Sequence, residues 1–469
     1  MTFWDFDISA GRFFLDFAWL GLLLVAGLVL RNRIRLFQKH LIPANLLGGA
    51  IGLMIAGNGL GWIDLTSERL GMYVYHLLAL LFIGLSLRTP EKKIGLSSVK
   101  TGILFISTYL VQGIIGLAIT FGLIFTFMPD LFAGIGLLPP LAFGMNPGIA
   151  YTIGQNWELY GFESGGIVGL TFSAAGFIAA YTTGIWMVKR GIKNGDAAYL
   201  DRESIPGVTN RTKKDMESDL SDAGHLTSSP GVLESLSLHT GLIGGVYLLT
   251  YGFLMLAEIG LIAVGAGNEA STLWSFHFVF AAITALAARK SIDALGGAYL
   301  IDDVTMTRVS NLFMDLMIAA SIAAISFAVI AAYWVPLIVI SVSVIAATWW
   351  MLTRLCSSIF SDFKLERTVA IYGNMTGTLQ SGLLLLRILD GKMESPVSFN
   401  LVYGSGLALL LGFPLLLLIN APVHYFSDIT AGFGVVLFAM AVYLGLLLAV
   451  LYYLNGGGEG KVKSEMKTW

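Results

Sequence analysis

Long apolar runs recur along almost the whole chain, and they constrain its fold more than any other feature. Runs of roughly 17 to 27 residues match the length that a helix needs to cross a hydrocarbon core of about 30 Å. They fall at 15–30, 44–62, 72–88, 101–127, 163–188, 238–262, 271–288, 309–331, 333–353, 397–420 and 429–454. Only 12% of the residues are charged, whereas a soluble domain has about a quarter. The runs predict an all-α multi-pass membrane protein surrounded by a lipid bilayer.

Short basic loops orient these runs, because Lys and Arg are retained on the cytoplasmic side of a membrane. Basic clusters follow the first, third and fifth runs, at 31–39, 88–100 and 189–193. Placing all three inside predicts a plasma (inner) membrane protein with the N-terminus outside and the C-terminus in the cytoplasm. The net charge of −2 gives no indication of nucleic-acid binding.

One segment between the fourth and fifth runs interrupts this pattern. Residues 143–148 read FGMNPG, and glycine and proline at such spacing stop a helix. The flanking runs meet the membrane on the outer side, so the segment 131–160 has to leave and return on one face. A re-entrant hairpin broken at 144–148 fulfils this requirement, and a kinked crossing helix is the alternative. Non-helical backbone at that depth needs protein or a water-filled cavity to satisfy its polar groups.

A second segment repeats the first. Residues 372–377 read YGNMTG, with the aromatic residue and both glycines of FGMNPG, and LLGGA at 46–50 is echoed by ALGGA at 294–298. Inverted repeats are common in secondary transporters, whose sites lie where two broken helices meet near the midplane of the bilayer. The sequence therefore predicts two inverted repeats of about five transmembrane helices, each with a broken or re-entrant helix hairpin, plus an extra C-terminal helix. The predicted domains are the first repeat at 1–190, a cytoplasmic linker at 191–237, the second repeat at 238–422, and the extra helix with a cytoplasmic tail at 423–469.

These segments resemble the sodium/glutamate symporter family, over about residues 40 to 420. The resemblance rests on LIPANLLGGAIGL at 41–53, ALLFIGLSLRTPEKKIG at 79–95, the first Gly-rich segment with YGFESGGIVGLTFSAAGFIAAYTTGIWMVKRG at 160–191, and the second Gly-rich segment from Thr368 onward. It implies an ion-coupled carrier that forms a homodimer and moves its substrate domain in an elevator-like way. Family members carry histidines in the two Gly-rich runs, whereas this chain has Asn146 and Asn374 there, so it resembles a divergent member.

Side-chain oxygens and glycines near the two breaks are the candidate substrate- and ion-binding residues, because neutral oxygens suit a dehydrated sodium ion or hydrogen bonds to a substrate. Their alternative role is to satisfy backbone groups freed by the breaks. The candidates are Gly144, Asn146, Pro147, Gly148, Tyr151, Thr152, Gly373, Asn374, Thr376, Gly377, Thr378 and Gln380. Sodium is expected near Asn146, Asn374 and Thr376.

Two charged residues complete the candidate set. Arg387 could hold a substrate carboxylate bidentately, or it could snorkel to the surface or pair with Asp390. Asp315 lies in an apolar run, where a carboxylate is a functional hypothesis by default, and the alternative is an ion pair with Arg308. Gln112, in the fourth run, is a further candidate lining residue with core packing as its alternative role.

The sequence predicts a sodium-coupled secondary symporter of a small anionic substrate, a glutamate-like amino acid or a dicarboxylate, that works by alternating access. It predicts no enzyme activity and no cofactor besides the coupling sodium ion. One alternative is a cation/proton antiporter or exporter that depends on Asp315. Another is the membrane subunit of an ion-pumping enzyme complex. Enzyme chemistry would need clustered His, Asp, Glu or Cys, and the six histidines are scattered along the chain.

Overall fold

The computed structural model describes residues 10–40, 42–57, 59–89, 95–199, 233–265, 270–391 and 395–465, and over these residues the chain is helical without a strand. The helices of the first half are α1 (Ala10–Arg33), α2 (Arg35–Lys39), α3 (Ala44–Ile55), α4 (Ser67–Ser86), α5 (Leu96–Thr126), α6 (Leu138–Pro140), α7 (Pro147–Glu158) and α8 (Gly165–Asn194). Those of the second half are α9 (Ser235–Ala263), α10 (Ala270–Ser275), α11 (His277–Ala294), α12 (Asp303–Ala323), α13 (Phe327–Ile359), α14 (Lys364–Thr376), α15 (Leu379–Leu389), α16 (Val397–Tyr425) and α17 (Ile429–Glu465).

Within the described residues, eight helices are long and apolar enough to cross a bilayer, as a multi-pass membrane protein requires. They are α1, α4, α5, α8, α9, α13, α16 and α17. The extra C-terminal helix is among them. The other three apolar runs form α3, which has only 12 residues, and α11 and α12, which carry three charged residues each.

The predicted run at 44–62 is too long because its second half does not continue the helix. Helix α3 ends at Ile55, and Ala56 is already extended (φ −73°, ψ 179°). The chain then folds back, so that the Leu60 N–H donates to the Met54 carbonyl at 2.7 Å. Gly61 has a φ of +68°, which glycine adopts at little cost. Glycine-rich sequence therefore ends this run as a turn.

The chain forms two compact units. The first consists of Met1–Glu91, Tyr151–Asn156 and Gly207–Phe327. The second consists of Lys92–Ala150, Trp157–Pro206 and Ala328–Trp469. Each unit draws on both halves of the chain, so the predicted domain boundaries at 190 and 238 do not separate the units.

The first unit has an apolar core between α4, α9, α11 and α12, which includes Ile83, Ile243, Ala285 and Met306. Glycines let its helices approach closely, since a methyl group on Gly48 would lie 2.4 Å from the Leu23 carbonyl oxygen of α1.

The two GGA phrases of the sequence have different structures. Gly48 and Gly49 lie inside α3 and are buried, whereas Gly296 and Gly297 follow α11 in a turn with φ +77° at Gly296. This match therefore does not support the predicted repeat.

The second unit contains α5, α8, α13, α16, α17 and both Gly-rich segments. Helices α5 and α16 cross closely, because a methyl group on Gly404 would lie 2.7 Å from Thr101. Helix α5 also meets the segment before α6, where a methyl group on Gly116 would lie 1.9 Å from the Gly136 carbonyl oxygen. The helices around the two breaks thus pack closely at glycines, which have no side chain to separate them.

Candidate functional site

The first break ends a buried helical segment, Ala133–Met145. Two prolines deprive this segment of backbone donors, and it passes from a 3₁₀ turn through α6 to a π turn at Leu141–Met145. Asn146 is then extended, with φ −175° and ψ 142°. Its N–H donates to the Leu141 carbonyl at 3.0 Å, which closes the π turn. The helix therefore stops at Asn146, within the predicted range.

Asn146 caps the helix that follows. Its Oδ1 accepts from the Gly148 N–H at 2.8 Å, and Pro147 occupies the first helical position, where its missing N–H costs nothing. The Asn146 side chain is buried. Asn146 Oδ1, which the sequence predicts to bind sodium or substrate, therefore accepts a hydrogen bond from a backbone N–H group. Satisfying such a group was the alternative role expected for this residue.

The second break lies between α14 and α15. Helix α14 ends at Thr376, Gly377 has φ −124° and ψ −104°, and Thr378 is extended with φ −144° and ψ 173°. The Thr378 side chain makes no capping bond to α15. Its Oγ1 is buried, and within the described part of the chain it has no hydrogen-bond partner. In contrast to the first break, the N-terminus of α15 is left without a side-chain cap.

The two breaks contact each other. A methyl group on Gly144 would lie 3.5 Å from the Met375 Cα, so the π turn packs against the last turn of α14. Helix α8 touches both breaks at one residue, because a methyl group on Gly176 would lie 2.3 Å from the Thr376 carbonyl oxygen and 2.7 Å from the Phe143 ring. The Gly-rich sequences are therefore explained by the close approach of three backbones at this point.

Helix α5 ties both breaks together through polar side chains. The Tyr109 hydroxyl donates to the Gly144 carbonyl at 3.1 Å. The Gln112 Nε2 donates to the Met375 carbonyl at 2.9 Å and to the Thr348 Oγ1 of α13 at 3.0 Å. Carbonyls that the breaks remove from helical hydrogen bonding thus receive donors from α5. From the sequence, Gln112 is only a candidate residue for lining the site. No local sequence pattern predicts its contact with Met375.

The segments next to the breaks contain no Asp, Glu, Lys or Arg. Asp, Glu, Lys and Arg are absent from 101–126, 131–157, 165–188, 327–353 and 368–386. The fixed electrostatic features of the site are therefore the helix ends, with a partial negative charge at the C-terminus of α14 and a partial positive charge at the N-terminus of α15. Both ends meet at Gly377 and Thr378.

The remaining candidates of the second Gly-rich segment lie at different distances from the break. The Asn374 Nδ2 donates to the Ser405 Oγ of α16 at 3.3 Å, and the Thr376 Oγ1 donates to a carbonyl of its own helix. Gln380 is half-buried in the first turn of α15. Arg387 is exposed, about 12 Å further along α15 at 1.5 Å per residue, and it does not lie at the break.

Gly373 packs the two arms of this segment together, since a methyl group there would lie 3.0 Å from the Gly382 Cα. Asp390, the predicted partner of Arg387, accepts from the Ser395 N–H at 2.8 Å.

Three candidates belong to the first unit. Tyr151 and Thr152 lie in the part of α7 that joins this unit, and the Tyr151 hydroxyl occupies the space left by Gly71 of α4. Asp315 is half-buried in α12, and its Oδ1 accepts from the Asn45 Nδ2 at 2.8 Å.

Sequence reasoning missed a buried ion pair in the first unit. Arg69 of α4 donates from Nε and Nη2 to the two carboxylate oxygens of Asp16, at 3.0 and 3.1 Å, and Asp16 is only 2% exposed. Such bidentate geometry is the strong form of this contact. The signal was present, because Asp16 stands inside the apolar run 15–30 and a carboxylate there needs a partner.

The fold and the site together define a helical multi-pass membrane protein with two broken helices in contact at a charge-free centre. Comparisons with known families, with characterised proteins and with solved structures gave no match.

Proposed function

We propose that the chain is a sodium-coupled secondary symporter of a small anionic substrate, a glutamate-like amino acid or a dicarboxylate. The observation that carries the proposal is the meeting of two broken helices in a centre without charged side chains. Membrane transporters use such breaks because half-helix ends supply partial charges and backbone groups where a charged side chain would be costly.

The finer architecture belongs to the same proposal. In the proposed inverted repeats, the helices of the two halves correspond in chain order. Helix α5 has 31 residues and corresponds to α13 with 33, and α8 has 30 residues and corresponds to α16 with 29. The arms after the breaks, α7 and α15, have 12 and 11 residues. These lengths support two re-entrant hairpins entering from opposite faces. The basic clusters at 31–39, 88–100 and 189–193 support an N-terminus outside and a C-terminus in the cytoplasm of a plasma-membrane protein.

The two breaks offer unequal sites to an anion. Helix α7 has its first turn occupied by the Asn146 side chain, whereas the Thr378 side chain does not cap α15, and its buried hydroxyl has no hydrogen-bond partner among the described residues. A helix N-terminus with accessible N–H groups and a hydroxyl donor binds carboxylates well. The substrate carboxylate is therefore expected at 378–381, with sodium at the oxygen-rich end of α14.

Uptake by the purified chain in proteoliposomes tests the proposal. We expect labelled dicarboxylates or acidic amino acids to accumulate under an inward sodium gradient and not when choline replaces sodium. Activity of the chain alone would also exclude an obligate subunit of an ion-pumping complex. If no member of the panel is taken up or competes for uptake, the symporter proposal is wrong. Cross-linking in the bilayer tests the homodimer that belongs to the proposal.

A further inference from the structure

The orientation of one buried amide in the second unit is fixed by its neighbours. Gln112 is fully buried in α5, and its Nε2 lies 2.9 Å from the Met375 carbonyl oxygen and 3.0 Å from the Thr348 Oγ1. The Thr348 hydroxyl donates its own hydrogen to the Val344 carbonyl at 2.7 Å, so its oxygen can only accept from Gln112. Both contacts require a donor. The amide nitrogen therefore makes both contacts, and the amide oxygen takes part in neither.

That oxygen receives no hydrogen bond from any residue that the structure describes. Across the described residues, no group donates to Gln112 Oε1, and the same is true of Thr378 Oγ1, three residues beyond Met375. A buried acceptor without a partner is expensive, so native structures rarely keep one without a purpose. One of these oxygens belongs to the amide that contacts the Met375 carbonyl in the last turn of α14, and the other lies two residues beyond the end of that helix.

The chemistry of these oxygens selects a monovalent cation. The two side-chain oxygens and the helix carbonyls are uncharged, hard ligands at the negative end of a helix. This arrangement is expected for a dehydrated alkali ion in a membrane transporter. A divalent ion would require carboxylates, and the described residues contain no cluster of acidic, histidine or cysteine side chains that could hold a metal.

We propose that Gln112 Oε1 is a ligand of the coupling cation, an alkali ion held between α5 and the C-terminal end of α14. This inference rests on the proposed symport and names the cation site within it. Because no carboxylate lies in the surrounding segments, the charge of the ion is balanced by the anionic substrate at the start of α15. Each ligand then raises the affinity for the other, which couples their transport.

The test is sodium binding to the purified full-length protein, followed as the rise in melting temperature when sodium chloride replaces choline chloride at constant ionic strength. Gln112→Met keeps the volume and removes the amide oxygen. We expect it to raise the apparent Kd for sodium by about ten- to a hundredfold. The matched control is Thr120→Val, which also removes a buried polar group from α5, bonded only to the Gly116 carbonyl of its own helix. It should keep the full sodium-dependent rise.

Several outcomes distinguish this site from the proposed function. A sodium-dependent rise that is unchanged in Gln112→Met overturns the cation site and leaves symport open. Loss of a substrate-dependent rise with sodium binding intact also overturns it, because the amide oxygen would then contact substrate. A wild-type protein without any response to lithium, sodium or potassium overturns it as well. If sodium binding is lost in Gln112→Met and no anion is transported, the cation site stands and the symport proposal fails. Should Gln112→Met not fold, Gln112→Asn withdraws the oxygen by one methylene and must weaken sodium binding.

Discussion

Gly176 of α8 offers a direct test of the contact between the two breaks. In Gly176→Ala the new methyl group would lie 2.3 Å from the Thr376 carbonyl oxygen, whereas carbon and oxygen normally approach to about 3.3 Å. The overlap of about 1 Å falls on backbone at one break and on the Phe143 ring at the other, so neither neighbour can yield by a simple side-chain rotation. Overpacking of this kind costs about 1–3 kcal/mol, which corresponds to a factor of about 5 to 150.

We expect Gly176→Ala to lower sodium-driven uptake by a factor in this range and to weaken sodium and substrate binding together, because both helix ends at the second break are displaced. Uptake rates in proteoliposomes and melting temperatures in detergent give the two readouts. Gly122→Ala in α5 is the matched control, since no atom lies within 4 Å of its added methyl group and alanine is favoured there by about 0.5–1 kcal/mol. Wild-type uptake and affinity in Gly176→Ala would refute the packing of α8 against the breaks as a requirement for transport.

Substitutions at three further residues test other parts of the proposal. Thr378→Val should lower substrate affinity about tenfold by removing the unpartnered hydroxyl, and Thr378→Ser should restore it; equal affinities in both variants contradict a binding role, as isothermal titration would reveal. Asp16→Asn should lower the free energy of unfolding by about 1–3 kcal/mol, because Arg69 exchanges a charged buried partner for a neutral amide and keeps only the more exposed Asp64 as a carboxylate partner, while the Kd values for sodium and substrate stay unchanged. Asp315→Asn keeps an oxygen acceptor for Asn45, so uptake should persist; loss of uptake together with its dependence on a proton gradient would favour the antiporter.

Much of the fold could be predicted because apolar length alone decides which helices cross a bilayer. The runs at 101–127, 163–188 and 429–454 correspond to α5, α8 and the Ile429–Asn455 part of α17 to within about six residues. Prediction fails where apolar sequence contains turn signals, as after Ile55. The division into two units that each take parts of both halves depends on contacts between helices far apart in sequence, and no local pattern encodes them.

The approximate position of the breaks could also be predicted, because Pro147 interrupts helical hydrogen bonding and the glycines of both segments disfavour a continuous helix. In the second segment the helix still continues to Thr376 before it ends. The roles of their side chains could not. Whether Asn146 binds a ligand or caps α7 depends on the dihedral angles of a single residue, and the extended backbone at Asn146 brings its Oδ1 within 2.8 Å of the Gly148 N–H. Gln112 is 263 residues from the carbonyl to which it donates, so its partner and its unpartnered oxygen become visible only in three dimensions.

The two breaks look alike in sequence but differ chemically. In the proposed transport, this difference assigns the cation and the anion to opposite helix ends at the second break. At the first break, Pro147 needs no hydrogen-bond acceptor and Asn146 occupies the helix start, so this end is closed by its own residues. At the second break, Gly377 and Thr378 leave opposite helix ends beside each other, one suited to a cation and one to an anion. A cation and an anion bound there neutralise each other without any charged side chain. An empty or fully loaded centre would then carry no net charge through the apolar membrane, whereas a half-loaded centre would, and this difference is a physical reason for obligatory coupling.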